Sequence, residues 1–279
     1  MGPSAPSPAS ARYASGSSIA SLKTGCSVLE TKNLTIRFGG HVAVDRVSCA
    51  FQPGTLTAIV GPNGAGKTTY FNLISGQLRA SEGQVLLDGQ DLSSRSAPQR
   101  TKAGLGRAFQ LTQLFPHLTV LENVRLAVQA RRGMGLKMFS VWLSHRALID
   151  EAMAIVERVR LGSRAQALAA SLPHGDQRKL EVAMLIALDP KVYMFDEPTA
   201  GMSVDEVPVI LDLIRELKAA GQHTILLVEH KMDVVRELAD RIIVLHQGQL
   251  VADGEPEAVI ASPVVQNAYL GTVAEEVAA

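Results

Sequence analysis

The sequence predicts an α/β fold: a mixed-sheet core of alternating strands and helices, a small antiparallel β portion near the N-terminus and an inserted α-helical subdomain. Three observations carry this expectation. In the second half, short apolar runs alternate with amphipathic helical stretches, as parallel βα units require. Near the N-terminus, GPNGAGKTT (residues 61–69) stands between a strand-like run and a helical one. Between residues 119 and 170, strand alternation gives way to helical periodicity without a heptad repeat.

Taken in order, residues 1–27 are rich in Ser, Ala, Pro and Gly, carry no acidic residue and read as a disordered tail. They lack the continuous apolar segment of a secretory signal. VLETKNLTIRF and VAVDRVSCAF alternate as strands of a sheet with one exposed face do. TLTAIV stops at Gly61 and is followed by a helix from Lys67 to about Ser75, closed by Gly76. GQVLLDG is a further strand between turn signals. TVLENVRLAVQARR and ALIDEAMAIVERVRL are helical and place the inserted subdomain at about residues 111–175. Strands return at VYMFDEP, HTILLVEH and DRIIVLHQG, separated by the helical stretches VDEVPVILDLIRELKAAG and MDVVRELA. No internal repeat is visible, and residues 272–279 read as a C-terminal tail.

Composition narrows the function classes. A chain of 279 residues, 47% hydrophobic and 19% charged, has material for one substantial core and a smaller subdomain. Lys plus Arg equals Asp plus Glu at 27 each, with no basic block, which argues against nucleic acid as a partner. Cys26 and Cys49 are the only cysteines and form no CxxC pair, so neither a disulfide framework nor a zinc site is indicated. No apolar run approaches the length of a membrane span, about 18 residues.

The chemistry concentrates in three places. GPNGAGKTT satisfies GxxxxGK[ST] between strand and helix, the P-loop pattern of RecA-like nucleotide-binding cores. Its residues are Gly61, Pro62, Asn63, Gly64, Ala65, Gly66, Lys67, Thr68 and Thr69. Glycines let backbone N–H groups point inward around a phosphate, the helix N-terminus adds partial positive charge, and Lys67 reaches the terminal phosphates. Thr68 is the expected magnesium ligand. VYMFDEP runs as a buried strand into two carboxylates at its carboxyl edge, where α/β sheets place ligands. There Asp196 would hold magnesium and Glu197 would orient and deprotonate an attacking water. Finally, LPHGDQRKLE (residues 172–181) is a helix start with Gly175 near it, so its free N–H groups form an anion site.

The glycine loop, Gln110, LPHGDQ, the Asp196–Glu197 pair and His230 occur in the order used by ATP-binding-cassette (ABC) ATPases. The chain resembles that family over residues 28–271. The resemblance implies ATP and Mg2+ as ligands. It also implies that Gln110 touches magnesium and water, that His230 contacts the γ-phosphate, and that Phe38 in IRFGGH stacks on adenine. In that family the segment LSGGQ opens a helix that caps the γ-phosphate held by the opposite subunit. Here Leu172, Pro173, His174, Gly175 and Asp176 fill the segment. Pro173 and His174 replace Ser and Gly, and Asp176 replaces Gln, so a serine hydroxyl is absent and backbone amides remain. Residues 200–203 (AGMS) occupy the loop that crosses between subunits, with Ser203 in place of the common Asp.

FGGHVAVDRVS, FQLTQLFPHLTVLENV, LPHGDQRKLEVAM, DEPTAGMS and GEPEAVIASPVVQNAYLG look like the larger ATPase subunit of branched-chain amino-acid importers. Neighbouring branches serve urea and lipopolysaccharide. This likeness implies a peripheral protein on the cytoplasmic face of the inner membrane. Its partners would be integral membrane permease subunits and a second ATPase subunit, either unlike this one, as in that branch, or identical to it, with a periplasmic binding protein acting indirectly. Two other readings remain at this level. A non-transport soluble ABC ATPase would ordinarily show two cassettes or a long coiled coil, and a catalytically idle scaffold is opposed by the presence of Lys67, Asp196 and Glu197. The stretch GMGLKMFSVWLSH, residues 133–145, suits either a permease-docking patch or the core of the helical subdomain.

Overall fold

The computed structural model describes residues 28–108, 114–133 and 146–267. The expected N-terminal tail, Gln110, residues 134–145 of the unassigned stretch and the C-terminal tail lie outside these residues. Two sheets organise the chain. In the first, β2 (His41–Phe51), β1 (Leu29–Phe38), β4 (Glu82–Leu87) and β5 (Gln90–Asp91) lie in that order, every pairing antiparallel. The second has the order β10 (Gln249–Gly254), β9 (Arg241–His246), β3 (Leu56–Val60), β8 (Thr224–Val228), β7 (Val192–Asp196) and β6 (Leu105–Ala108). Its strands are parallel except for the β10 edge, so the sheet is mixed, as the α/β reading requires.

Helices cover both faces of the second sheet, which is why β3, β7 and β8 are buried along their whole length and read as unbroken apolar runs. Tyr193 and Phe195 point into a core shared with α3 (Val120–Arg131), α4 (Arg146–Arg158), α5 (His174–Leu188) and α6 (Val207–Ala219). Met194 and Ile59, on the opposite face, meet Phe71 and Ile74 of α1 (Lys67–Ser75) and the inner side of the antiparallel sheet. Ala58, Val60, Ile242 and Val244 pack on Val235 of α7 (Met232–Leu238) and Val259 of α8 (Pro256–Ile260). The helix read between Lys67 and Gly76 is therefore α1, ended by Gly76 at φ 81°.

Arg100, on α2 (Ala97–Ala103), anchors the far end of α1. Its Nη1 donates to the carbonyls of Leu73 and Ile74, each at 2.7 Å, placing a cation at the helix C-terminus. Helices α3 and α4 are the two helices read between residues 119 and 170, and α3 opens with a reciprocal cap between Thr119 and Glu122. Among the described residues, no helix is long and apolar enough to cross a membrane.

Candidate active site

Strand register assembles the site. Ile59 of β3 pairs with Val228 of β8, and Asp196 of β7 pairs with the same Val228. The strands are parallel, so the loops that leave β3, β7 and β8 emerge together at one carboxyl edge. Those loops carry residues 61–69, Glu197 and His230. Gln110 lies two residues beyond the end of β6, outside the described residues.

The glycine loop folds back tightly against the rest of the chain. A Cβ at Gly61 (φ 151°) would overlap the Leu245 carbonyl oxygen, and one at Gly66 (φ 96°) would lie 2.5 Å from that of Ala43. Gly66 is the N-cap of α1 and offers no side-chain cap, so the first-turn N–H groups of Thr68 and Thr69 face the loop. Lys67 is 6% exposed and arches over the loop, with Nζ donating to the carbonyls of Gly61 (2.6 Å) and Pro62 (2.9 Å). Burial holds its pKa below the usual lysine value, against the pull of the Glu197 and Asp196 carboxylates. Asn63, Gly64 and Ala65 complete the turn, and a Cβ at Gly64 would meet open space. Because Ala43 lies on Gly66, the β1–β2 hairpin end sits beside this loop. Phe38, half-exposed and paired in register with His41, lies at that hairpin end rather than in the core.

Asp196 ends β7 almost fully buried. Arg107 of β6 donates to its Oδ2 at 2.7 Å and also to Asn72 Oδ1 (2.6 Å) and Ser75 Oγ (2.9 Å). Its guanidinium lies 5.4 Å from the Phe71 ring centroid. Burial raises the Asp196 carboxyl above its usual value, with Arg107 opposing. Glu197 follows in a left-handed backbone conformation, φ 51°, with its N–H donating to Val228 O at 2.9 Å. In a continuing strand, adjacent side chains would alternate between faces. The left-handed turn breaks that alternation, at a cost of about 1–2 kcal/mol, and leaves the Glu197 carboxylate 2.7 Å from His230 Nε2.

His230 does not end a strand, as its apolar run suggested; β8 stops at Val228. The reason is Glu229, 4% exposed, which turns inward to accept the Thr199 hydroxyl at 2.8 Å and the His230 N–H at 3.2 Å. The first turn of α5 stands apart from this cluster. Pro173 is its N-cap and gives no side-chain cap, Gly175 is buried, and the His174 ring lies against Gly201. Glu206 faces Gly175. Arg107, Glu229 and Glu206 carry no sequence signal of their own.

The oxygens available at Asp196 and Thr68 suit a hard cation such as Mg2+, which takes few protein ligands and completes its shell with phosphates and water. Among the described residues, no group of three or more His, Cys, Asp or Glu side chains could hold a metal ion.

A buried lysine arched over a glycine loop, with an acidic pair and a histidine on the adjoining strand ends, defines a P-loop nucleotide-binding core. Comparison with known proteins agrees with that class. A family model described as ABC transporter matches residues 44–200. LivG of Escherichia coli (strain K12), a high-affinity branched-chain amino acid transport ATP-binding protein, is 38% identical over 249 residues, 88% of this chain and 98% of that one. A crystal structure of a nucleotide-free ATP-binding cassette from an ABC transporter is 29% identical, with TM-score 0.73, covering 87% of this chain and 98% of its own. A dimeric post-hydrolysis cassette bound to ADP and Pi is 26% identical, with TM-score 0.70, covering 82% and 98% respectively. The chain belongs to the ABC transporter family and is its ATP-hydrolysing, ATP-binding cassette.

Proposed function

We propose that this cassette energises import of branched-chain amino acids, working as a peripheral subunit on the cytoplasmic face of the membrane beneath permease subunits. The likeness to LivG along nearly the full length of both chains supports the solute class. The observation that carries the chemistry is the 2.7 Å contact between Glu197 and His230 at the sheet edge that also holds Lys67.

In this reading the ATP phosphates enter residues 61–69 and replace the Gly61 and Pro62 carbonyls as partners of Lys67. Phe38 supports the adenine ring. Mg2+, when bound, neutralises phosphate charge. Asp196, Thr68 and Gln110 are the residues proposed to hold it. Glu197 orients the attacking water and takes its proton, while His230 steadies the carboxylate and reaches toward the γ-phosphate. The domain comprises residues 28–271, with the helical subdomain at about residues 111–175.

Residues 172–176, Gly175 foremost, would cap the ATP of a second ATPase subunit, and a partner's equivalent turn would cap the ATP held here. The dimeric neighbour supports this arrangement. Reconstitution with candidate permeases and the partner ATPase, followed by uptake of labelled leucine, isoleucine, valine and urea, tests the proposal. ATP-dependent leucine uptake lost in Lys67→Ala is the expected result. Uptake of urea alone would move the chain to a neighbouring branch, and failure to purify with any integral membrane protein would refute the transport reading.

A further inference from the structure

Glu206, the residue that leads into α6, is not an idle surface carboxylate. Its Oε2 accepts the Ser203 N–H at 3.2 Å and the Ser203 hydroxyl at 3.0 Å, and its Oε1 accepts Lys179 Nζ at 3.1 Å. Lys179 is held in turn by Asp176 at 2.8 Å, and Asp176 by Arg164 at 3.0 Å. A chain of charges thus runs from the end of residues 200–206 into the first turn of α5. Gly175 lies directly in its path. A Cβ built there would overlap both carboxylate oxygens of Glu206, and the three nearest atoms it would meet all belong to that carboxylate.

Gly175 has no positive φ, so backbone conformation does not demand glycine. Helix propensity disfavours it against alanine by roughly 1 kcal/mol. Its lack of a side chain leaves room for a neighbour, and the neighbour in contact is Glu206. We infer that Glu206 is a positioning residue of the partner-facing half-site: its carboxylate, seated where Gly175 leaves room, fixes residues 200–206 against the first turn of α5. The inference rests on the reading of residues 172–176 as a half-site for a second subunit's ATP. Lys179 neutralises the carboxylate, so an approaching phosphate does not face an uncompensated like charge. At the same time His174 is held on Gly201, where a Cβ would come within 3.1 Å of the ring.

The test is a double-mutant cycle on the full chain assembled with its ATPase and permease partners. An alanine methyl at 175 evicts the flexible end of Glu206 and costs it the Lys179 and Ser203 bonds, so Gly175→Ala and Glu206→Ala break the same contact. Each should lower kcat by about tenfold, with KM little changed. The double variant should be no worse than the weaker single, and Glu206→Gln, which keeps the side chain's shape but only one of its two acceptor oxygens, should recover part of the loss. ATP affinity of this chain's own loop, read with a fluorescent nucleotide, should stay at the wild-type value in Glu206→Ala. Losses that multiply to about a hundredfold in the double variant would overturn the role of Glu206 and leave the half-site reading standing. Wild-type hydrolysis in both singles would overturn the half-site reading itself. Loss of own-loop ATP binding would assign the effect to folding and overturn the inference.

Discussion

Replacing Arg107 with leucine should expose how the Asp196 carboxylate is held. The pair is buried on both sides, with the Arg107 side chain 8% and the Asp196 side chain 3% exposed and 2.7 Å between them. Removing one partner of such a pair strands the other charge and costs about 3–5 kcal/mol. For a domain of this size, that corresponds to a fall in Tm of about 6–20 °C. Asp196 can escape part of the penalty by taking a proton, since burial already raises its carboxyl and Arg107 would no longer oppose. A carboxylate whose folded pKa lies above its unfolded value destabilises the fold at high pH, and the penalty fades as pH falls through the raised value. The gap in Tm between wild type and Arg107→Leu should therefore narrow from neutral toward mildly acidic pH. A divalent cation bound at Asp196 would supply the missing positive charge, so ADP with Mg2+ should restore more stability to the variant than ADP with a chelator. Differential scanning fluorimetry across pH, with and without metal, measures all three. A loss under about 2 °C, or one independent of pH, would refute the account.

Other outcomes follow from the same site. Lys67→Ala should abolish hydrolysis and weaken ATP binding strongly without unfolding the sheet, since the lysine meets phosphate as a point charge; wild-type affinity by calorimetry would contradict this. Glu197→Gln should lower turnover by about 10² to 10⁴ while ATP still binds, so the variant should accumulate with its partner as an ATP-containing closed dimer on size exclusion. Hydrolysis within a few-fold of wild type would remove Glu197 from the role of base. Cys49, 6% exposed and with its thiol pushed up to about 11 by burial, should resist alkylation at pH 8 in the folded protein and react on denaturation, as peptide mapping would show.

Much of the core was legible because its signals are local. Gly61, Gly64 and Gly66 all adopt positive φ within one short loop, and β3, β7 and β8 are apolar along their length because both faces are covered. β6 was not legible. LGRA has a glycine and an arginine in four residues, and it becomes a strand by pairing with β7. The supporting charges were invisible for a related reason. Arg107 meets Asp196 across 89 residues of sequence, Glu229 meets Thr199 across 30 and Lys179 meets Glu206 across 27. No periodicity or spacing rule reaches that far. The apolar run ending in His230 also concealed that Glu229 turns into the core and stops β8 two residues early.

These long-range bonds also determine how the site holds together. The glycine loop is braced at one end by Ala43 and Leu245 and, through α1, at the other by Arg100 on the Leu73 and Ile74 carbonyls. Arg107 then ties α1 to Asp196, so the phosphate loop and the acidic pair are fixed to each other through one buried guanidinium rather than through the loops themselves. Thr199 extends the same linkage: its hydroxyl bonds Glu229 beside His230, and it stands at the start of the segment that ends on Glu206 and Gly175. A shift of His230 on loss of the γ-phosphate would therefore be felt at residues 200–206 without any change in the sheet. In this chain the groups that would perform hydrolysis and those that would face a partner lie along one run of hydrogen bonds of ordinary length, with the Thr199–Glu229 bond buried and the Ser203–Glu206 bonds exposed.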